Sequence, residues 1–181
     1  MDQHALRHLD HDTLHTLLDA HQRYMKTQGR EGRKIDLSLC IIEGFDFSGL
    51  DLHGVHLQHT VLRNCRFAGT NLSRADVDGT QAFGADFSGA SFVKAEIFEA
   101  NLSGANCDGA VMTRATVNRC DLSGATFRNA DLTGAGFIDC IMAGTVLDEA
   151  IIDGMSVRNN ATTGMSRVGA HGQLNPASGP W

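Results

Sequence analysis

Two prolines, one tryptophan and one tyrosine are all that the 181 residues hold of those types. A core built on large indole or phenol anchors is thereby excluded, and with 20 glycines the composition leans to small residues. No run of about 18 apolar residues occurs, so no segment reads as a membrane-spanning helix. The opening MDQHALRHLDHDTLHTLLDAHQ also lacks the apolar stretch of a secretion signal. These absences predict a soluble, cytoplasmic protein. Basic excess is missing too. A formal charge of −6 and a pI near 5.8 argue against a general nucleic-acid-binding surface. The five cysteines show no CxxC or other metal-ligand spacing and suit a reducing compartment. No phosphate-binding, nucleophile-elbow or dinucleotide fingerprint is present.

What the chain does have is a beat of five. Taking Leu122 as a centre and stepping by five, every centre from Leu37 to Val157 is apolar, 25 in all, in a chain that is 42% apolar. The register never slips between Ile35 and Asn159. The position two before each centre is mostly Ala, Cys or Thr, with Ala at 12 of the 25. After the centre come Ser, Thr or a charge, then often Gly or Asn, which suit a tight turn or positive φ.

A period of five fits neither the 3.6 of a helix nor the 2 of a strand. It fits a coil that turns a corner every pentapeptide. Four corners close a 20-residue square, and successive squares stack at strand spacing, about 4.8 Å. The centres fill the interior, and the small residues make room beside them. About six such coils form a rod on the order of 30 Å long, stabilised coil upon coil.

The pentapeptides ADFSG, ANLSG, CDLSG and ADLTG resemble the A(D/N)LxX consensus of the pentapeptide repeat family, over about 125 of the 181 residues. The resemblance implies a right-handed quadrilateral β-helix, an all-β solenoid. Ile35, Phe45 and Leu50 depart from it in being larger than the usual small residue, and Ala82 is an undersized centre. The domain reading is an N-terminal segment, 1–34, then the β-helix, 35–159, then a flexible tail, 160–181.

Open coil ends need covering. Residues 10–28 read as an amphipathic capping helix, with Asp10 or Asp12 at its start and Gly29 at its end. Leu14, Leu17, Leu18, Tyr24 and Met25 share its apolar face. At the other end Val168, Leu174 or Trp181 could fold back over the last coil. Pairing of two copies through a coil end is a further expectation.

His4, His8, His11 and His15 would align on one continuous helix, a spacing that can share a metal. A solvated polar face explains them better, as it does His53, His56 and His59, and neither a metal nor a cofactor is expected. Cys120 and Cys140, one coil apart, lie within disulfide range, but buried small apolar residues are the better reading. Ser and Asp recur only as outward repeat positions on a convex, filled rod, so no cleft gathers catalytic groups, and an enzyme is not expected.

Recognition must then lie on the outside. One face collects Asp36, Asp76, Asp78, Glu96, Glu99 and Asp139, and another Asp46, Asp86, Asp108, Asp148 and Glu149. Arg74, Lys94 and Arg114 stack in a single column, which neighbouring acids are expected to neutralise. Phe83 and Phe98 follow centres and point outward, although Phe83 could tuck in beside Ala82. The leading expectation is a non-enzymatic scaffold rod with a protein partner of unknown identity. Phe83, Phe98, Arg74, Lys94, Arg114, Asp76, Asp78, Glu96 and Glu99 form its candidate surface. The resemblance also implies an alternative, since some family members mimic B-DNA, bind type II topoisomerases such as DNA gyrase or topoisomerase IV, and protect them from quinolones. Here the repeat region carries 16 acids and 8 bases, a net of −8. Duplex DNA of about 30 Å carries on the order of 18 charges. The basic column interrupts the likeness further.

Overall fold

A computed structural model describes residues 6–176. From Ile35 onward the chain winds into stacked square coils of 20 residues. Each residue before a centre bridges in parallel to its equivalent 20 residues later, as in Asp36 to His56 to Asp76 to Glu96. Longer parallel pairings mark two places in this lattice. One joins β1 (Arg7–His8), β2 (Cys40–Glu43) and β3 (Val61–Arg63). The other joins β4 (Glu96–Phe98), β5 (Thr116–Asn118), β6 (Gly136–Ile138) and β7 (Ser156–Arg158). Four faces result. We call them by their centres: face 1 runs from Leu37 to Val157, face 2 from Ile42 to Met142, face 3 from Phe47 to Leu147, and face 4 from Leu52 to Ile152.

All 25 predicted centres are buried, as are nearly all the residues two before them. Side-chain volume is shared out within each coil. Phe47, Phe67 and Phe87 stack along face 3, with centroids 4.6 and 5.0 Å apart. In the coil of undersized Ala82, two phenylalanines compensate: Phe87 and Phe92 meet edge-on at 5.3 Å across one corner.

The pentapeptide chemistry has a polar logic as well. At ten corners the Asp or Asn before the centre holds the amide two residues further on. Asp121 Oδ1 accepts from Ser123 N at 2.9 Å, and Asp131 Oδ1 from Thr133 N at 2.9 Å. Many outward carboxylates are thus spent on turning the chain. The position two before a centre is more than a spacer when it is Thr or Cys. Thr60, Thr70, Thr80 and Thr145 are fully buried, and each hydroxyl donates to the centre carbonyl 23 residues earlier. Cys65, Cys120 and Cys140 place their thiols on the carbonyls of Ile42, Ile97 and Val117 in the same way, at 3.5 Å.

The N-terminal end is closed by a strand and a helix. β1 adds a rung beneath face 2, Arg7 opposite Cys40 and His8 opposite Ile41. Then α1 (His11–Lys26) begins at Asp10, whose carboxylate accepts from Thr13 N at 2.7 Å, and is capped by Thr27, two residues before the expected Gly29; Gln28 takes the left-handed turn and Gly29 N donates back to the Tyr24 carbonyl at 2.8 Å. Leu14 and Leu18 are buried on the first coil, and Leu17 packs beside them. The oversized Phe45 is the seat of the helix: His11 and His15 meet its ring edge-on at 5.3 and 5.1 Å. The helical face also buries His21, which sequence reasoning missed.

At the far end the apolar beat stops with Val157, but backbone pairing continues. Ile141 bridges Ala161, Val146 bridges Ser166 and Ile151 bridges His171. The residues in centre register there are Thr162, Arg167 and Gly172. Coil six is the template for this last rung: Met142 N, Leu147 N and Ile152 N donate to it, and Asp148 receives Ser166 Oγ and Val168 N. Val168 is 71% exposed, whereas Leu174 packs on the core; Trp181 lies outside the described residues.

Candidate interaction surface

The interior is full, so the candidate site is a surface. Phe83 stands on face 2 with 72% of its area exposed, its ring leaning over Gly104 of the next coil. It does not tuck in beside Ala82, which is itself completely covered. Around it face 2 is nearly free of charge. From Gln81 to Gly144 its outward positions are Gln, Asn, Ser, Ala, Ile and Gly, with Asp121 the one ionised group. Ile141 adds apolar area, 49% exposed. Glycines sit at the corner residue of four successive coils, 84, 104, 124 and 144, all at positive φ. Nothing therefore projects to shield Phe83 on that side.

Phe98 is the weaker anchor. It is half-buried, and the Arg119 guanidinium covers its ring at 5.3 Å. Arg119 in turn pairs with Glu99 at 3.4 Å. This cluster lies at the corner between faces 1 and 2 and gives the uncharged face a polar border. Asp76, Asp78 and Glu96 line a shallow groove on face 1 with Gln58, Phe98 and Asn118. Gln58 Nε2 donates to Asp76 at 2.7 Å.

Arg74, Lys94 and Arg114 occupy equivalent corner positions of successive coils, all exposed, with φ of 57°, 57° and 58°. Neighbouring acids share a groove with Arg74 and Lys94 without forming a contact ion pair among the described residues. Asp76 and Glu96 line that groove, while ion pairs form elsewhere, among them His56–Asp76, Arg66–Asp86, Arg119–Glu99 and Arg128–Asp108.

Histidines and cysteines do not assemble. His4 lies outside the described residues; His8 is in β1 rather than on the helix, so the four-histidine face does not form. No cluster of metal-holding side chains occurs among the described residues. All five cysteines are buried and free. Burial pushes the Cys107 thiol up to about 12, and Cys120 is raised by the adjacent Cys140 thiol and by burial. Thiols held protonated in this way are neither nucleophiles nor ready disulfide partners. Among the described residues no helix is long and apolar enough to cross a membrane.

A filled square solenoid of parallel pentapeptide rungs defines the class: a right-handed quadrilateral β-helix. The chain belongs to the pentapeptide repeat family, whose model matches residues 51–89, 71–105 and 90–134 in 8 copies. Among solved structures it is similar to QnrB1, a plasmid-mediated fluoroquinolone resistance protein, at 19% identity and a TM-score of 0.51, over 80% of this chain and 77% of that one. It is also similar to HetL of the cyanobacterium Nostoc, involved in heterocyst differentiation regulation, at 19% identity and a TM-score of 0.39, over 87% and 96%. A pentapeptide repeat protein of the Arabidopsis thaliana thylakoid lumen shares 30% identity over 60% of this chain and 68% of that one, with a TM-score of 0.36. None of the curated proteins compared with the chain matches it. The likeness to QnrB1 carries the fold and no further.

Proposed function

We propose that the chain is a non-enzymatic binding rod that presents face 2 to a protein partner, with Phe83 as the anchor. The observation that carries this reading is the 72% exposure of Phe83 on a face with a single charge over four coils. Interface centres are depleted of charge and enriched in aromatic residues, with a polar rim. Here the Arg119–Glu99 pair beside Phe98 supplies one rim. The five free thiols suit work in the cytoplasm. Affinity capture from the native cell extract, with wild-type and Phe83→Ala chains as bait, tests the reading. A partner retained by the wild type and reduced at least tenfold by the variant is expected, since an anchor is worth about 2 kcal/mol or more. Equal capture by both baits would refute it.

DNA mimicry toward a type II topoisomerase is the competing reading. It needs a continuous negative surface, and the unpaired Arg74, Lys94 and Arg114 break one corner of the rod. Inhibition of gyrase supercoiling at micromolar protein, insensitive to Phe83→Ala, would establish it in place of the proposal.

A further inference from the structure

The corner between faces 4 and 1 carries two parallel columns of opposite charge. On one side Arg74, Lys94 and Arg114 rise one per coil, and the Lys34 ammonium continues the line by lying against Gly54, 2.9 Å from where a Cβ would be. On the other side Asp36, His56, Asp76 and Glu96 follow the parallel bridge ladder. Between them the floor is buried Ala75 and Ala95. The cations have no ion-pair partner among the described residues.

The repeat distance of these columns selects the occupant. Across two successive coils, Arg74 with Asp76 and Lys94 with Glu96, both charges recur at the coil rise, about 4.8 Å. An extended peptide presents same-side side chains every ~6.7 Å, and a helix presents i, i+4 pairs every ~6 Å. A polyanion would meet the acidic column as well as the basic one. Only another stack of β-coils repeats both signs at the same interval. A two-fold axis parallel to the rod also exchanges left and right columns while keeping each coil at its own level. It sets Arg74 opposite Asp76 of a second copy and Lys94 opposite Glu96. We infer that this corner is the interface of a side-by-side, parallel dimer of the chain, distinct from face 2 and from the coil ends.

Sedimentation of the full chain across a concentration series tests this at ionic strengths of about 50 and about 500 mM. The wild type is expected to dimerise reversibly at low salt and to dissociate at least tenfold more readily at high salt. Arg74→Glu/Lys94→Glu and Asp76→Arg/Glu96→Arg should each be monomeric. Both doubles are expected to fold: Glu99 and Glu149 already occupy the left-handed corner, and Arg66 a bridge position. An equimolar mixture of the two doubles should form a dimer of one copy each, detected by native mass spectrometry. Each swap moves the net charge of −6 by four, to −10 and −2. Both doubles thus stay negative, and opposite net charge cannot drive their pairing. A monomeric wild type, a dimer that survives Arg74→Glu/Lys94→Glu, or no complementation in the mixture would each overturn the inference. Phe83→Ala should leave dimerisation intact, so this interface and the partner surface of face 2 fail or stand separately.

Discussion

His21 shows how one side chain couples the cap to pH. It is fully covered by the first coil, its Nδ1 accepts from Ile35 N at 3.2 Å, and its Nε2 has no partner among the described residues. Burial lowers its pKa below 6.5, Lys34 acts in the same direction, and Asp51 opposes. A buried neutral imidazole binds fewer protons than the unfolded chain below pH 6.5. Its contribution is therefore complete above that pH and is lost as pH falls toward the folded value. The melting temperature should drop between pH 7.5 and 5, and His21→Asn, which keeps an acceptor for Ile35 N, should flatten that drop. An unchanged slope in the variant would remove His21 from the account. The buried threonines make a second residue-scale case. Thr80→Val keeps the shape but loses the hydroxyl bond to the Leu57 carbonyl, a loss expected to cost about 1 kcal/mol in denaturant unfolding.

At the scale of the element, the pentapeptide tolerates little inside and much outside. Ala125→Leu places a branched side chain where the corner is completely covered. It should destabilise the rod by about 1–3 kcal/mol, measured by chemical unfolding. This is also where sequence and structure part company. The coils were legible because a period of five satisfied by 25 successive centres allows one geometry. The helix was legible from its cap and apolar stripe. Two-residue β1 was not, since a pair of residues carries no period and its pairing is set by the open edge of Cys40–Glu43. Nor was the last rung, whose Thr162, Arg167 and Gly172 break the apolar pattern while their backbone follows the coil beneath. The outward residues were placed on the right faces, but their state was hidden. Contact ion pairing of Arg74, Lys94 and Arg114 depends on side-chain placement that spacing does not fix, and the cover over Phe98 depends on Arg119 from the neighbouring coil.

The whole molecule divides into wall and message. The same residue type serves both: Phe67 lies between Phe47 and Phe87 in the core, while Phe83 stands in solvent one coil away. The most direct test compares Phe67→Ala and Phe83→Ala in one experiment, measuring unfolding free energy and partner capture together. Phe67→Ala should lose about 3–5 kcal/mol of stability. Phe83→Ala should stay within about 0.5 kcal/mol of the wild type and lose the partner. A Phe83→Ala chain that unfolds early, or that is stable and still holds the partner, would contradict the assignment of function to the exposed face.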